Sequence, residues 1–290
     1  MEVARQTGAE ICSLDAFQVY RGLDIGTAKP SGAERKEIPH HLLDLVDPEE
    51  EFTAADYLRT AAGVAEGLKN RGKAAVWVGG TGLYHRVLTG GLAKAPGTDR
   101  KVAAELEAMS TAELAGEIGM ADPEWSAKAD LKNRRRLIRA LAVWRQTGRK
   151  MSSWQREETA PGPLTGARIF ALVPDPDALA TVIRERVSAM MREGWGEEVR
   201  KLRERRGWRG CPGSRAIGYG EIGLWLEGKT GREETCDKIV AATRAYAKRQ
   251  LTWLKRVPNL EIIEAISGQL PPATGVEKLA KALGGGSFSG

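Results

Sequence analysis

Short apolar runs alternate with amphipathic segments in the first ninety residues. AEICSLD at 9–15 predicts a buried strand that enters a loop, and AAVWV at 74–78 predicts a second strand that opens into the glycine turn GGTG. Between them, 53–72 has apolar residues at helical spacing and ends at a glycine. Strand, helix and strand in that order indicate a parallel sheet with crossover helices, so we expect an α/β core.

A different pattern begins near residue 96 and lasts to about residue 165. This stretch is rich in Ala, Glu, Lys and Arg, carries three tryptophans, and is bounded by PGTD at 96–99 and TAPGPLTG at 159–166. Proline and glycine at both ends suggest an inserted subdomain. We therefore predict a helical insertion at 96–165 inside a core made of 1–95 and 166–275.

The second half of the core has a mainly helical pattern. RIFALV at 168–173 predicts one more strand, and the stretches 179–194, 196–205 and 233–256 predict helices. Residues 276–290 end in GGGSFSG, and we expect this tail to be disordered.

The last long helix combines an apolar stripe with positive charge. Helical spacing predicts a stripe of Val240, Thr243, Ala247, Leu251 and Leu254. Polar residues flank it, with the cations Arg244, Lys248 and Lys255 on one side and Arg249, Arg256 and the uncharged Thr252 on another. One face is thus expected to pack while the others meet phosphates.

The 290 residues carry a net charge of +6 and a pI of about 9.2. A surplus of this size is common among proteins that only need to stay soluble, so its distribution is more informative. Residues 132–139 and 244–256 each hold five cations and no acidic residue, whereas a solvated helix face normally mixes signs. This distribution favours an anionic partner such as nucleic acid.

Neither a membrane nor an oxidising compartment is indicated. No run reaches the roughly 18 apolar residues that a membrane span needs, and MEVARQTGAE lacks the apolar stretch of a signal peptide. Cys12, Cys211 and Cys236 lie far apart in no metal-ligand spacing, so we expect packing residues and not a disulfide framework or zinc site. A cytoplasmic monomer that binds no membrane is the resulting expectation.

Two histidines and two aspartates stand in loop-like sequence. His40 and His41 in PHHLLD have no third metal ligand nearby, so we expect loop structure there and no metal site. Asp24 and Asp44 could cap loops or serve function.

A literal phosphate-loop pattern occurs at 223–230, GLWLEGKT. A phosphate loop needs backbone amides close to the phosphates, on a loop that leads from a buried strand into a helix. Here the four middle positions are three bulky apolar residues and a carboxylate, and 216–222 has the pattern of a helix start. We expect a turn between two helices at this place.

Seven stretches, in order along the chain, resemble the bacterial tRNA dimethylallyltransferases, also called tRNA isopentenyltransferases. Each alone is a weak match, but seven collinear stretches are specific. They are EICSLDAFQVYRGLDIGTAKP (10–30), PHHLLDLVDP (39–48), WVGGTGLYHRVLTGGL (77–92), RRRLIRALAVWRQTG (134–148), GWGEEV (194–199), RAIGYGEI (215–222) and TRAYAKRQLTWLKR (243–256).

The resemblance implies an activity and a fold. The dimethylallyl group of dimethylallyl diphosphate would pass to N6 of the adenosine 3′ of the anticodon, position 37, in tRNAs that read codons beginning with U, and diphosphate would be released. The implied fold is a P-loop NTPase-like α/β core, a nucleotide-binding architecture in which ATP is not hydrolysed, with a helical insertion that binds the anticodon stem-loop. Mg²⁺ is the implied cofactor.

Asp15 is the candidate general base. An adenine amino group is a poor nucleophile, so a carboxylate that accepts its proton as the C–N bond forms would accelerate the transfer by about 10² to 10⁴-fold. Asp15 follows the first apolar strand directly, where the carboxyl ends of parallel strands converge on a ligand crevice. Capping of the next turn is the alternative role, and the surrounding family-like stretch favours the base.

The resemblance also assigns residues to the RNA and to the diphosphate. Ala16, Phe17 and Gln18 complete the segment around the flipped adenosine, although the family more often has Ser-Met in place of Ala16 and Phe17. Thr81 and Arg215 join Asp15 as catalytic residues, and Arg215 resembles the arginine that pairs with the departing diphosphate, whose oxygens a guanidinium fork matches. The further implied tRNA contacts are Arg135, Arg136, Arg139, Gly218, Tyr219, Lys248, Arg249, Gln250, Trp253 and Lys255, with core packing open for Gln250 and Trp253.

One family element has no counterpart in this sequence. In relatives a strand and the loop G-P-T-A-S-G-K-T come before the helix whose end resembles residues 1–10, and that loop holds diphosphate and magnesium. The resemblance thus implies a core without its first strand and P-loop, and impaired activity. We expect a sequence truncated at its start. An RNA-binding protein without transferase activity, an adenylate isopentenyltransferase and a nucleotide kinase using 223–230 are the alternatives.

Overall fold

Two small sheets give the chain its α/β character. The computed structural model describes residues 1–157, 159–265 and 273–284. The strands over these residues are β1 (Glu10–Ser13), β2 (His40–His41), β3 (Ala75–Val78), β4 (Ile169–Pro174) and β5 (Leu260–Ala265). The first sheet has the order β2-β1-β3 and the second pairs β4 with β5, and both are parallel.

Helices make up most of the remaining regular structure. Before residue 92 these are α1 (Glu2–Thr7), α2 (Gly32–Glu37), α3 (Ala54–Asn70) and α4 (Gly82–Gly90). They are followed by α5 (Arg100–Ala108), α6 (Thr111–Ala121), α7 (Pro123–Lys128), α8 (Arg134–Thr147) and α9 (Met151–Arg156). The last are α10 (Pro176–Arg192), α11 (Trp195–Arg203), α12 (Tyr219–Leu226), α13 (Arg232–Leu254) and α14 (Ala273–Gly284), with a 3₁₀ turn at Gly213–Arg215.

Local residues explain where several helices begin and end. Thr53 and Asp56 form a capping box at the start of α3, in which each side chain accepts a hydrogen bond from the other residue's backbone N–H. Gly148 ends α8 in the left-handed region at φ 67°, where a residue with a Cβ would be strained.

The chain forms two compact units, one made of Met1–Thr89 with the described residues from Gly162 onwards, the other of Gly90–Pro161. The first holds both sheets, and its core includes Tyr57, Leu88, Trp195 and Ile222. The second consists of α5 to α9 around a core of its own, with Leu106, Leu114, Ile118, Leu137 and Leu141 fully buried. The insertion predicted at 96–165 and this second unit at 90–161 share most of their residues.

The predicted strands β1, β3 and β4 and the predicted helices α3, α10, α11 and α13 are present. Pairing of Ser13 with Val78 makes β1 and β3 end side by side, so the segments that follow them leave the sheet at the same edge. This confirms the parallel sheet that the strand, helix and strand order predicted.

Two predictions about local structure are wrong. His40 and His41 lie not in a loop but in β2, where they pair with Ile11 and Cys12. Residues 276–284 of the predicted disordered tail form most of α14, because Val276 is buried on a helix face that packs against α1. Residues 285–290 lie outside the described part of the chain.

Candidate active site

Asp15 and Thr81 meet at the shared edge of β1 and β3. The backbone N–H of Ala16 donates to Thr81 Oγ1 at 3.0 Å, and the backbone N–H of Thr81 donates to the Leu14 carbonyl at 3.2 Å. These bonds fasten the segment after β1 to the segment after β3. The structure therefore brings together two of the three predicted catalytic residues.

The Asp15 carboxylate has one oxygen engaged and one open. Oδ1 accepts from the backbone N–H of Phe17 at 2.8 Å and of Gln18 at 3.2 Å, which is the capping role considered for it. Among the residues that the structure describes, no donor reaches Oδ2 within hydrogen-bond distance. Capping and proton acceptance are thus compatible, since each can use a different oxygen.

The Gln18 amide is held at both ends. Its Oε1 accepts from Ser13 Oγ at 2.8 Å, and its Nε2 donates to the carbonyls of Thr27 and Ala28 at 3.0 and 3.3 Å. A contact of the Gln18 amide with the flipped adenosine, around which the resemblance places this segment, would have to replace some of these bonds. In this arrangement the amide ties the end of β1 to the turn at 24–28.

Glu198 fixes that turn from a distant part of the sequence. Its Oε2 accepts from the backbone N–H groups of Asp24 and Ile25 at 2.9 and 2.7 Å, and its Oε1 from Gly26 N–H at 3.2 Å and Tyr219 Oη at 2.7 Å. Burial and the Glu198 charge raise the pKa of the Tyr219 phenol, which therefore stays a donor. Sequence reasoning missed this role, because nothing in GWGEEV shows what its carboxylates face.

Lys29 is a second residue that the sequence did not single out. Its side chain is 1% exposed, and Nζ donates to the Tyr20 carbonyl at 2.6 Å, to Asp24 Oδ1 at 2.8 Å and to Asp44 Oδ1 at 2.6 Å. Burial opposes ionisation of Asp44, but hydrogen bonds from Lys29 and Arg35 outweigh it and lower the pKa of the Asp44 carboxyl. Asp24 and Asp44 thus accept hydrogen bonds from a buried ammonium group, which needs such partners because a buried charge is otherwise unfavourable.

The glycine turn after β3 is enclosed on two sides. A Cβ on Gly79 would collide with the Leu14 carbonyl, and a Cβ on Gly82 would lie 2.7 Å from the Trp253 ring. Tyr246 Oη and Gln250 Nε2 both donate to the Gly80 carbonyl at 3.2 Å. The turn requires glycine because α13 and the end of β1 approach its backbone closely.

The predicted apolar stripe of α13 is correct at Val240, which is buried, but not near the end of the helix. Leu251, assigned to the apolar stripe, is 36% exposed. Tyr246, Gln250 and Trp253 contact the glycine turn and α4 instead, with the Trp253 ring 5.4 Å from the His85 ring. For Gln250 and Trp253 the structure shows packing, and their contact with tRNA stays a prediction.

Most of the predicted tRNA-binding cations are exposed. Within the described part of the chain no carboxylate forms an ion pair with any of them. The exposed cations meant here are Arg135, Arg136, Lys248, Arg249 and Lys255. Cations without carboxylate partners are available to phosphates, which agrees with the prediction from charge distribution.

Arg139 differs from its neighbours on α8. Its guanidinium donates to the carbonyls of Pro96 and Ala95 at 2.6 and 3.3 Å and to Thr98 Oγ1 at 3.1 Å, and burial lowers its pKa. The side chain therefore holds the 95–98 segment.

In the segment at 215–219, Arg215 is exposed, whereas Ala216, Gly218 and Tyr219 are buried. Arg215 is exposed on the 3₁₀ turn, and its charge opposes part of the rise in pKa, to about 12, that burial causes at Tyr20. Gly218 and Tyr219 are buried, and a Cβ on Gly218 would overlap the Trp195 ring. The tRNA contact predicted for Gly218 and Tyr219 thus has no exposed side chain to make it.

The phosphate-loop pattern at 223–230 spans the end of α12 and the turn after it. Helix α12 ends at Leu226, and Glu227 pairs with Lys229 at 2.7 Å and also with Arg203. These two cations lower the pKa of the Glu227 carboxyl to about 2. The predicted turn between helices is confirmed, and the lysine of the pattern already has an anionic partner.

The second unit contains a cavity of about 210 Å³ lined by Trp125, Arg136 and Ser152 among others. Lys128 and Arg156, which also line it, both pair with Glu124. Neither here nor in the rest of the described ranges do three His, Cys, Asp or Glu side chains converge as metal ligands would. No described helix is long and apolar enough to cross a membrane.

The known proteins similar to this chain include bacterial tRNA dimethylallyltransferases. The tRNA dimethylallyltransferase of Geobacter sulfurreducens is 39% identical over 268 residues, which cover 91% of this chain and 86% of that protein. That of Halorhodospira halophila is 42% identical over 263 residues, covering 88% and 84%. A family model described as IPP transferase matches residues 18–257.

Solved structures similar to this chain are also tRNA-modifying transferases. The tRNA isopentenylpyrophosphate transferase of Bacillus halodurans superposes with a TM-score of 0.69 at 32% identity, covering 98% of this chain and 89% of that one. A eukaryotic dimethylallyltransferase acting on tRNA has a TM-score of 0.78 at 23% identity, covering 96% and 79%, which shows a common fold. The predicted P-loop NTPase-like α/β class is thereby confirmed. With its family match and these relatives, the chain belongs to the IPP transferases, a family of transferase enzymes.

Proposed function

We propose that this chain transfers the dimethylallyl group of dimethylallyl diphosphate to N6 of adenosine 37 in tRNAs that read codons starting with U, and releases diphosphate. The observation that carries the proposal is the Asp15 carboxylate at the shared edge of β1 and β3, fastened to Thr81 and with Oδ2 open. The relatives named for tRNA dimethylallyl transfer support the reaction class.

The reaction requires one bond to form and one to break. N6 attacks the first carbon of the dimethylallyl group, the bond from that carbon to the diphosphate oxygen breaks with its electron pair, and N6 loses a proton. Asp15 Oδ2 would accept that proton, because Oδ1 is occupied by the Phe17 and Gln18 amides. Thr81 would contact the tRNA beside it.

The leaving diphosphate gains negative charge as the bond breaks. Arg215, exposed on its 3₁₀ turn, would pair with these oxygens through its guanidinium fork. Mg²⁺ suits diphosphate oxygens and needs only one or two protein carboxylates. The lack of a cluster of three ligands among the described residues is compatible with this need, and Mg²⁺ stays a proposal from the family resemblance.

Anionic RNA would bind along the unpaired cations. These are Lys248 and Arg249 on α13, Lys255 at its C-cap, and Arg135 and Arg136 on α8, which the insertion would present to the anticodon stem-loop. The monomeric state and cytoplasmic location that we expect stay predictions.

The first experiment replaces the Asp15 carboxylate. The chain is incubated with radiolabelled dimethylallyl diphosphate and an anticodon stem-loop that carries adenosine at position 37 and the position before it. Asp15→Asn should lower the transfer rate by about 10² to 10⁴-fold while RNA binding changes little. Asp237→Asn is the matched control, because Asp237 forms an exposed ion pair with Arg184 and touches no proposed site residue.

Each other outcome has a distinct meaning. An unchanged transfer rate in Asp15→Asn would show that Asp15 is not the general base. If the chain extended at its start by a strand and a P-loop binds the stem-loop but transfers no label, an RNA-binding protein is favoured; transfer to free adenosine monophosphate would favour an adenylate isopentenyltransferase.

A second experiment tests the RNA surface. Lys248→Ala should weaken stem-loop binding and reduce the slope of log affinity against log salt by about 1, as expected for a lost phosphate contact. Lys238→Ala on the same helix is the control, because Lys238 pairs with Glu234 at 2.7 Å. Equal affinities for the two variants would place the RNA elsewhere.

A further inference from the structure

Two side chains of α13 converge on one carbonyl oxygen. Tyr246 and Gln250, four residues apart and therefore on the same helix face, donate to the Gly80 carbonyl from Oη and Nε2, each at 3.2 Å. A carbonyl oxygen with two lone pairs can accept both bonds. The helix that carries the unpaired cations is thus tied to the turn after β3.

The glycine turn also holds the segment that carries Asp15 in place. Gly79 lies against the Leu14 carbonyl without room for a Cβ, and the Thr81 backbone N–H donates to that same carbonyl. Thr81 Oγ1 then accepts from the Ala16 amide at 3.0 Å. A displacement of Gly80 would therefore move Thr81 and the backbone on both sides of Asp15.

The surroundings of Tyr246 fit a fixed donor. Burial and the nearby Asp15 charge raise the pKa of the Tyr246 phenol, against opposing hydrogen bonds from Thr81 and Gln250, so its hydroxyl keeps its proton. The Arg249 guanidinium lies 5.6 Å from the Tyr246 ring centroid on the exposed side of the helix. The hydroxyl of this residue thus meets the glycine turn, and its ring lies beside a proposed RNA contact.

We propose that Tyr246 is a positioning residue for the transfer reaction: by donating to the Gly80 carbonyl it sets Thr81 and Asp15 in register with the RNA-binding face of α13. The proposal deepens the proposed function and rests on it. The phenol acts through Gly80 and Thr81 and need not touch the adenosine.

Removal of the hydroxyl alone separates this role from packing. Tyr246→Phe keeps the ring under Arg249 and leaves Gln250 on the Gly80 carbonyl, so the unit should stay folded with a Tm within about 4 °C of the parent. We expect kcat for the stem-loop to fall about tenfold and its KM to change less than about twofold, because small misplacement of reacting groups lowers rates strongly. Lys238→Ala, which removes only an exposed ion pair with Glu234 on the same helix, should leave both kcat and KM unchanged.

Hydrogen exchange supplies a readout that needs no catalysis. In Tyr246→Phe the amides of Ala16 and Thr81 should exchange at least about threefold faster, since their bonds depend on the turn, while the β1 amides of Ile11 and Cys12 keep their rates. Unchanged exchange at Ala16 and Thr81, or an unchanged kcat in an active enzyme, would overturn the positioning role. Absence of transfer by the unaltered chain would count against the proposed function, and the exchange comparison would still decide whether Tyr246 holds the turn.

Discussion

Loss of the Glu198 carboxylate should destabilise the first unit far more than its exposure suggests. Glu198→Ala leaves four donors without their acceptor, the amides of 24–26 and the Tyr219 hydroxyl. A buried donor left unpaired costs about 1–3 kcal/mol. Glu198 is half-buried, so water can reach part of the site, and we expect a total loss of about 3 kcal/mol.

Thermal unfolding measures this loss, and the neighbouring glutamate provides the control. A loss of 3 kcal/mol should lower Tm by about 6–12 °C for a unit of this size. Glu198→Gln keeps one acceptor oxygen and should fall between the parent and Glu198→Ala. Glu197→Ala removes only an exposed pair with Arg200 and should cost less than about 1 kcal/mol. Equal Tm values for Glu197→Ala and Glu198→Ala would refute the reasoning.

Three further outcomes follow from packing and charge. Leu141→Ala, at a fully buried position of the second unit, should cost about 2–5 kcal/mol in denaturant unfolding, and a loss below 1 kcal/mol would contradict the packing described. Gly82→Ala sets a methyl group against the Trp253 ring and should cost about 1–3 kcal/mol with a change in tryptophan fluorescence, whereas an unchanged spectrum would speak against this contact. The pKa of the Asp44 carboxyl lies below its ordinary 3.8, so its contribution to stability is present above about pH 4 and is lost as the pH falls through the folded-state pKa. The difference in unfolding free energy between the parent and Asp44→Asn should therefore shrink on acidification from pH 5 to pH 3, and a constant difference would exclude this linkage.

The sequence predicted the parts of the site that depend on topology. An apolar strand followed by Asp15, and a second strand followed by Gly79 to Thr81, place both segments at one edge of a parallel sheet, and the structure joins them through the Ala16 amide. Period-3.6 patterns likewise located the long helices. These features depend on neighbours in sequence or on strand direction, both of which can be inferred from a pattern.

The missed features depend on polar contacts between distant residues. Leu251 was assigned to the buried stripe of α13 because it is apolar, but it is partly exposed. Tyr246 and Gln250 face the interior instead, because both side chains donate hydrogen bonds to the Gly80 carbonyl. Lys29 is buried against the expectation for lysine because two aspartates and a carbonyl surround it. Hydropathy alone scores such residues as exposed.

Short elements were missed for a different reason. Strand β2 has only two residues, so no alternation of polar and apolar positions can reveal it. Helix α14 was hidden by the glycine-rich end that follows it, although Val276 and Leu279 lie at helical spacing.

The bonds between Glu198 and the 24–26 turn also bear on the synthesis of the chain. Glu198 lies 174 residues after Asp24, and Tyr246 lies 166 residues after Gly80. At about 5–20 residues per second, a ribosome needs about 10–35 s to reach Glu198 after it has made the turn. During that interval the turn amides lack the carboxylate that accepts their hydrogen bonds in the folded chain, so the turn next to Asp15 can take its final arrangement only after Glu198 has been made.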